Sequence, residues 1–362
     1  MPVPLFDPDT PLRPLRAELR SAVHRVLDDG RFILGPEVEA FERDWAAYLG
    51  AGHAIGVANG TEALTIALRA LGVGPGDEVV VPSFTFWASA EAIPPTGARP
   101  VFCDVDPDTY VVTPDTVKAA LTERTKAVIA VHLFGNVAPV AEIEALGVPV
   151  LEDAAQAAGS TGPGGRPGAL GTIATFSFYP SKNLGAFGDG GAVTTRDAAL
   201  AERVRTLRFH GSKDKVDYVD VGYNSRLDEL QAAILRVQLP NLDRWAAARA
   251  AAGDAYEEAL AGLATLPVAT PGSRPAWHLY VIRHERADEL QQALAERGIG
   301  SRPYYRTPVH AQAPMRQWAP AAGALPATDE LARTHLAIPM SAALGAEQVA
   351  EVAAAIRDAG LG

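Results

Sequence analysis

One lysine stands apart from the others in its surroundings. Lys182 follows the apolar stretch 176–180 and precedes the glycine-rich stretch 185–191. In an apolar environment a lysine can lose its proton near neutral pH and attack a carbonyl carbon. Lys182 is therefore a candidate nucleophile, although a surface lysine that lays its stem along apolar side chains has the same sequence context. The chain's other four lysines lie among charges and loop signals: Lys118, Lys126, Lys213 and Lys215.

A carboxylate stands at the end of a second apolar stretch. Asp153 closes the run Val-Pro-Val-Leu-Glu-Asp, which has no polar alternation and is typical of a strand buried on both faces. At the carboxyl end of such a strand, a side chain points into the crevice where α/β sheets bind ligands. A helix N-cap without a ligand is the alternative role for Asp153.

A third candidate is the segment Asn59-Gly60-Thr61, which lies between a predicted strand and a predicted helix. A glycine there lets backbone N–H groups approach an anion, and the helix dipole and the Thr61 hydroxyl add to the attraction. Capping alone explains Asn59 and Thr61 equally well.

The elements around these residues predict an α/β fold. Short apolar runs predict strands, and the helical spacing of Leu64, Leu68 and Leu71 predicts a helix over 61–71. Strands that alternate with helices indicate a mostly parallel sheet with helices on both faces. The predicted strands cover 54–58, 78–82, 100–104, 127–132, 149–153 and 175–178.

The pattern changes after about Arg226. One helix, with Leu227 and Val237 on its apolar face, is predicted to end at Pro240, and a second is predicted over about 241–263. A strand at 277–283 and helices at 288–297 and 346–359 follow. We therefore expect a large domain over residues 1–245 and a smaller α+β domain over residues 246–362, with the boundary within about ten residues of position 245.

Composition excludes several classes of protein. The formal net charge of −11 argues against nucleic acid as a partner, and no apolar run is long enough to span a membrane. The start of the chain lacks the pattern of a signal peptide, and the one cysteine, Cys103, cannot form a disulfide alone, so we expect a cytoplasmic protein. The histidines show no metal-ligand spacing, and we expect no metal site.

Five motifs follow one another along the chain: Gly-Thr-x-Ala-Leu at 60–64, Glu-Asp-Ala-Ala-Gln at 152–156, Phe-Ser-Phe-x-x-x-Lys-Asn at 176–183, Gly-Asp-Gly-Gly at 188–191 and Asn-Ser-Arg-Leu-Asp at 224–228. In this order they resemble one known family, the DegT/DnrJ/EryC1/StrS sugar aminotransferases. The resemblance implies the aspartate aminotransferase fold (fold type I) and the cofactor pyridoxal 5'-phosphate (PLP).

The resemblance implies a role for each site residue. Lys182 is the Schiff-base residue and moves the proton, and Asp153 pairs with the pyridine nitrogen, which must stay protonated for PLP to act as an electron sink. Gln156 bonds the phenolic oxygen. Phe86 stacks on the ring, a role for which Trp87 is the other candidate, with core packing favoured for Trp87. The expected phosphate ligands are Gly60, Thr61, Ser177 and, from the neighbouring subunit of a homodimer with shared sites, Asn224.

The family also implies a ping-pong reaction in which L-glutamate is the amino donor and a nucleotide-diphosphate-linked keto-deoxysugar is the acceptor. A cyclitol or an aromatic-precursor ketone is the alternative acceptor, and a PLP-binding regulator without catalysis is a further alternative. The related sugar dehydratases replace the lysine with histidine or add cysteines for an iron–sulfur cluster. Lys182 and the single Cys103 argue against both.

Overall fold

A computed structural model describes residues 2–361 of the chain. The strands are β1 (His53–Val57), β2 (Glu78–Pro82), β3 (Arg99–Cys103), β4 (Thr125–Val131), β5 (Val150–Asp153), β6 (Ile173–Ser177), β7 (Gly191–Thr195), β8 (Tyr280–Arg283) and β9 (His335–Ile338). The helices are α1 (Arg16–Asp29), α2 (Pro36–Leu49), α3 (Gly60–Ala70), α4 (Trp87–Glu91), α5 (Pro114–Lys118), α6 (Val140–Glu144), α7 (Ala198–Arg208), α8 (Glu229–Gln238), α9 (Leu242–Ala259), α10 (Ala287–Glu296), α11 (Pro326–Thr334) and α12 (Ala346–Asp358).

Within the described residues, seven strands form one sheet in the order β1-β7-β6-β5-β4-β2-β3. Strands β3, β2, β4, β5 and β6 are mutually parallel, and β7 runs antiparallel to both β6 and β1. The central strands are buried along almost their whole length, as a parallel sheet covered on both faces requires. The predicted mostly parallel α/β sheet is confirmed.

Strand β7 is the part of this sheet that the sequence did not predict. Its residues Gly-Ala-Val-Thr-Thr combine a glycine with two polar residues, so they lack the apolar run that marks the other strands. Position 191, the first of β7, requires glycine because the chain passes close to the start of α3 there. A Cβ atom on Gly191 would lie 2.5 Å from the carbonyl carbon of Asn59.

A two-stranded antiparallel sheet, β8–β9, lies in the C-terminal part of the chain. Apolar residues of this sheet pack with those of α9, α10 and α12 in one core cluster. Helix α9 begins at Leu242 and continues past the expected domain boundary at residue 245. The division into residues 1–245 and 246–362 therefore stays a prediction. No helix within residues 2–361 is long and apolar enough to cross a membrane.

Candidate active site

The carboxyl ends of the parallel strands open into a cavity of about 630 Å³. Val131, Asp153 and Ser177, the last residues of β4, β5 and β6, all line it. This is the edge at which open α/β sheets bind their ligands. The structure brings seven of the eight predicted site residues to this cavity: Gly60, Thr61, Phe86, Asp153, Gln156, Ser177 and Lys182.

Asp153 and its neighbour Glu152 are both buried but have different structural roles. Successive side chains of a strand point to opposite faces, and only Asp153 lines the cavity. Glu152 accepts N–H bonds from the backbone of Gly168, Leu170 and Gly171 at 2.8–2.9 Å and lies 2.8 Å from His132 Nε2. Glu152 therefore anchors a loop, and Asp153 is the carboxylate available to a ligand.

Asp153 is held by a short chain of hydroxyl groups. Ser89 Oγ donates to Asp153 Oδ2 at 2.7 Å, and Thr85 Oγ1 lies 3.0 Å from Ser89 Oγ. The backbone N–H of Ala155 donates to Asp153 Oδ1 at 3.2 Å, but turns rather than a helix follow the strand, so Asp153 is not a helix N-cap. These hydrogen bonds fix the orientation of the carboxylate at the cavity wall.

Lys182 lies in the loop between β6 and β7 and lines the same cavity. Burial disfavours its charged form and lowers the pKa of the ammonium to about 8, although the negative charge of Asp153 opposes this shift. A lysine with this pKa supplies a neutral amine near physiological pH. Its position at the cavity argues against the alternative of an ordinary surface lysine.

The N-terminus of α3 reaches the cavity through Gly60. A Cβ atom on Gly60 would lie 2.7 Å from Ser177 Cβ, so the absence of a side chain allows the helix to meet the end of β6. Asn59 is the N-cap, and its Oδ1 accepts from the Glu62 N–H at 2.9 Å. Capping therefore accounts for Asn59, whereas Gly60 and Thr61 present the positive end of the helix dipole to the cavity.

Gln156 bridges the cavity to the C-terminal part of the chain. Its Oε1 accepts from the Phe134 backbone N–H at 2.7 Å, and its Nε2 donates to the Tyr305 hydroxyl at 3.3 Å. Both bonds fix the side-chain amide, since each end has a partner. No sequence motif points to Tyr305, which is 149 residues from Gln156 in the chain.

The two aromatic candidates for stacking differ in position. Phe86 is 55% exposed and lines the cavity, whereas Trp87 begins α4 and packs against the main hydrophobic core. A ring that is exposed at a cavity wall can stack on a flat ligand. The structure thus favours Phe86 for the stacking role and core packing for Trp87.

Asn224 is not among the residues that line this cavity. It is exposed and forms an isolated antiparallel bridge with Phe209. Its neighbours toward the N-terminus form an exposed apolar surface patch, and all of these side chains are at least 61% exposed: Val216, Tyr218, Val219 and Val221. The Asn224 side chain is therefore accessible to a second molecule that covers this surface.

His278 lines the cavity and was missed by the sequence analysis. It is buried, and its Nδ1 atom has no hydrogen-bond partner within the described residues. Burial, followed by the positive charges of Lys182 and Arg249, lowers its pKa well below the usual value for histidine. The run Pro-Ala-Trp-His before β8 carries no motif that would identify it from sequence.

Known proteins are similar to this chain in sequence and fold over nearly its whole length. The model of the DegT/DnrJ/EryC1/StrS aminotransferase family matches residues 14–357. A dTDP-3-amino-3,4,6-trideoxy-alpha-D-glucose transaminase of Streptomyces venezuelae is 46% identical, covering 98% of this chain and 96% of that relative. A pleiotropic regulatory protein of Geobacillus stearothermophilus is also 46% identical, covering 96% of each chain.

The solved structure of S. venezuelae DesV in complex with a ketimine intermediate has a TM-score of 0.96 to this chain. Its sequence is 46% identical, and the match covers 99% of this chain and 98% of DesV. The fold is therefore the fold type I aminotransferase fold that the sequence predicted. On these matches, the chain belongs to the DegT/DnrJ/EryC1/StrS aminotransferase family and is an aminotransferase.

Proposed function

We propose that this aminotransferase binds PLP in the 630 Å³ cavity and transfers an amino group from L-glutamate to a nucleotide-linked keto sugar. The observation that carries the proposal is the meeting of Lys182 and Asp153 at one cavity in a member of a PLP-dependent family. PLP supplies an electron sink that stabilises negative charge on the carbon next to the nitrogen.

The residues present fit this cofactor. In the proposed arrangement Lys182 provides the amine that binds its carbonyl carbon and later moves a proton. Asp153, fixed by Ser89, holds the proton of the ring nitrogen, Gln156 bonds the phenolic oxygen, and Phe86 covers one face of the ring. The N-terminus of α3 lies next to Ser177 because Gly60 has no side chain. In the proposed arrangement these two groups hold the phosphate.

The cavity also has room for an acceptor. A volume of about 630 Å³ falls in the range of pockets that enclose drug-sized ligands, and Tyr304 and the 56% exposed Tyr179 extend its wall. The S. venezuelae relative is named for a sugar that carries its amino group on the third carbon. A nucleotide-linked sugar with a ketone at that carbon is therefore our first candidate acceptor.

A homodimer with shared sites is part of the proposal. Within the described residues, Lys182 is the one lysine or arginine that lines the cavity, while Glu62, Glu91, Asp153 and Asp189 all line it. Further N–H donors would strengthen the binding of phosphate-bearing ligands at a wall with this charge balance. A second copy could supply them through Asn224, which lies beside the exposed apolar patch at 216–221. Burial of that patch would stabilise the dimer.

Two measurements on the purified protein test this function. Glutamate should remove the visible absorbance band of the bound cofactor, and a panel of nucleotide-linked 3-keto and 4-keto sugars should give an aminated product by mass spectrometry only in the presence of glutamate. A cyclitol or aromatic ketone that reacts faster than every sugar would replace the proposed acceptor. Bound PLP that does not respond to any donor would favour a regulator instead.

A further inference from the structure

A second cavity of about 320 Å³ adjoins the proposed active site. Phe6, Ser181 and Lys182 line both cavities. The second cavity is further enclosed by the start of the chain, by the loop after Lys182 and by α9, which contributes Arg249. A small molecule could therefore occupy this cavity while remaining next to Lys182.

Arg249 is a buried cation that forms no ion pair with any carboxylate of residues 2–361. The residue is only 8% exposed, and its Nη1 atom donates to the Trp277 carbonyl oxygen at 3.1 Å. Burial alone lowers its pKa to about 10, so the guanidinium is still charged at neutral pH. An unpaired buried charge is strongly unfavourable, and natural proteins keep one mainly where it has a partner to bind.

The two carboxylates at the cavity are already engaged elsewhere. Asp7 accepts the backbone N–H groups of Asp9 and Thr10 at 3.1 and 2.9 Å. Asp9 forms ion pairs with Arg13 and Arg16. Neither pairs with the Arg249 guanidinium, so that group is available to an anion in the cavity.

The charges of Arg249 and Lys182 act on one and the same side chain. Both lower the pKa of His278, and both side chains line the same 320 Å³ cavity. An amino acid held in this cavity with its carboxylate on Arg249 would therefore lie near the amine of Lys182, where the proposed reaction begins. Arginine is well suited to this task, because its planar fork of N–H groups bonds both oxygens of a carboxylate.

From this geometry we infer that the 320 Å³ cavity is the binding site of the amino donor, with Arg249 bonding one of its carboxylate groups. The inference rests on the proposed function and adds the residue that selects a carboxylate-bearing donor over a simple amine. It separates the donor's anchor from the larger cavity, where the wall provided by this chain carries no arginine.

The test compares Arg249→Lys with Arg244→Lys, a matched control on the exposed face of the same helix. Arg249→Lys keeps the charge but loses the fork, and should weaken glutamate binding about tenfold or more. Its cofactor spectrum should not change, and neither should its kcat/KM for the acceptor, which in a ping-pong reaction depends only on the second half-reaction. Arg244→Lys should bind glutamate like the wild type. Unchanged glutamate affinity in a folded Arg249→Lys enzyme would overturn the inference.

A second measurement needs no variant. Wild-type crystals of the PLP-loaded enzyme soaked with glutarate, a dicarboxylate without an amine, should show a carboxylate bonded to Arg249. Glutarate bound elsewhere, or no glutarate in this cavity, would contradict the inference. If glutarate occupies the cavity but glutamate leaves the cofactor absorbance unchanged, the proposed function fails and the carboxylate site stands.

Discussion

At the scale of single residues, the chemistry depends on how the protein sets the protonation of Lys182. Burial lowers its pKa to about 8, which is below the ordinary lysine value of about 10.4. Only the neutral amine attacks a carbonyl, so the rate at which the cofactor-free enzyme captures PLP should rise with pH and level off above about pH 8.

Stopped-flow absorbance between about pH 6 and pH 10 measures this rate, with a blocked free lysine in the same buffers as the control. The free lysine should still gain rate at the upper end of that range. A protein profile that follows the free lysine would show that burial does not tune this amine.

The neighbouring carboxylates Asp153 and Glu152 should separate chemistry from stability. Asp153→Asn should retain PLP but lose several orders of magnitude in turnover, about 4–7 kcal/mol of barrier, because an amide does not keep the ring nitrogen protonated. Glu152→Gln should mainly lower the free energy of unfolding, by about 1–3 kcal/mol, because it weakens the bonds from the loop at 168–171.

Turnover assays and denaturant titrations of both variants measure the two effects. Near wild-type turnover in Asp153→Asn would restrict that carboxylate to a structural role.

At the scale of elements, the placement of α3 decides whether a phosphate can be held. Gly60→Ala puts a Cβ atom 2.7 Å from Ser177 Cβ and should push the helix start away from β6. We expect PLP affinity to fall about tenfold or more while the protein stays folded. Gly74→Ala is the matched control, because a Cβ atom there meets nothing within 4 Å. Fluorescence titration with PLP compares the two, and equal affinities would rule out the helix start as a phosphate site.

The elements also show what sequence can and cannot predict. The central strands were predicted to within two residues because their apolar runs are continuous, as at β2 and β5. Strand β9 was missed because it follows α11 directly, with no turn residue between them. Site residues with a motif around them, such as Lys182, were predicted from sequence. Tyr305 and Arg249 were not, because only tertiary folding brings the C-terminal part of the chain to the cavity.

At the scale of the whole molecule, the account predicts that two chains build each active site. Lys182→Ala and Asn224→Ala should each have low activity. When subunits exchange in an equal mixture, half of the dimers are mixed, and one site in each mixed dimer carries neither lesion. Activity should therefore recover to about a quarter of the wild-type value.

The control for this mixture pairs Lys182→Ala with Asp153→Asn. Both residues line the cavity of their own chain, so every site in a mixed dimer keeps one lesion and activity should not recover. If the first mixture stays as inactive as the second despite proven subunit exchange, Asn224 does not serve a partner's site.

The central claim is that Lys182 holds PLP in a working aminotransferase, and borohydride trapping tests it most directly. Reduction of the PLP-loaded enzyme followed by peptide mapping should place the pyridoxyl group on Lys182, and treatment with glutamate before reduction should prevent the labelling. A label on Lys118, Lys126, Lys213 or Lys215, or labelling of Lys182 that glutamate does not change, would contradict the account.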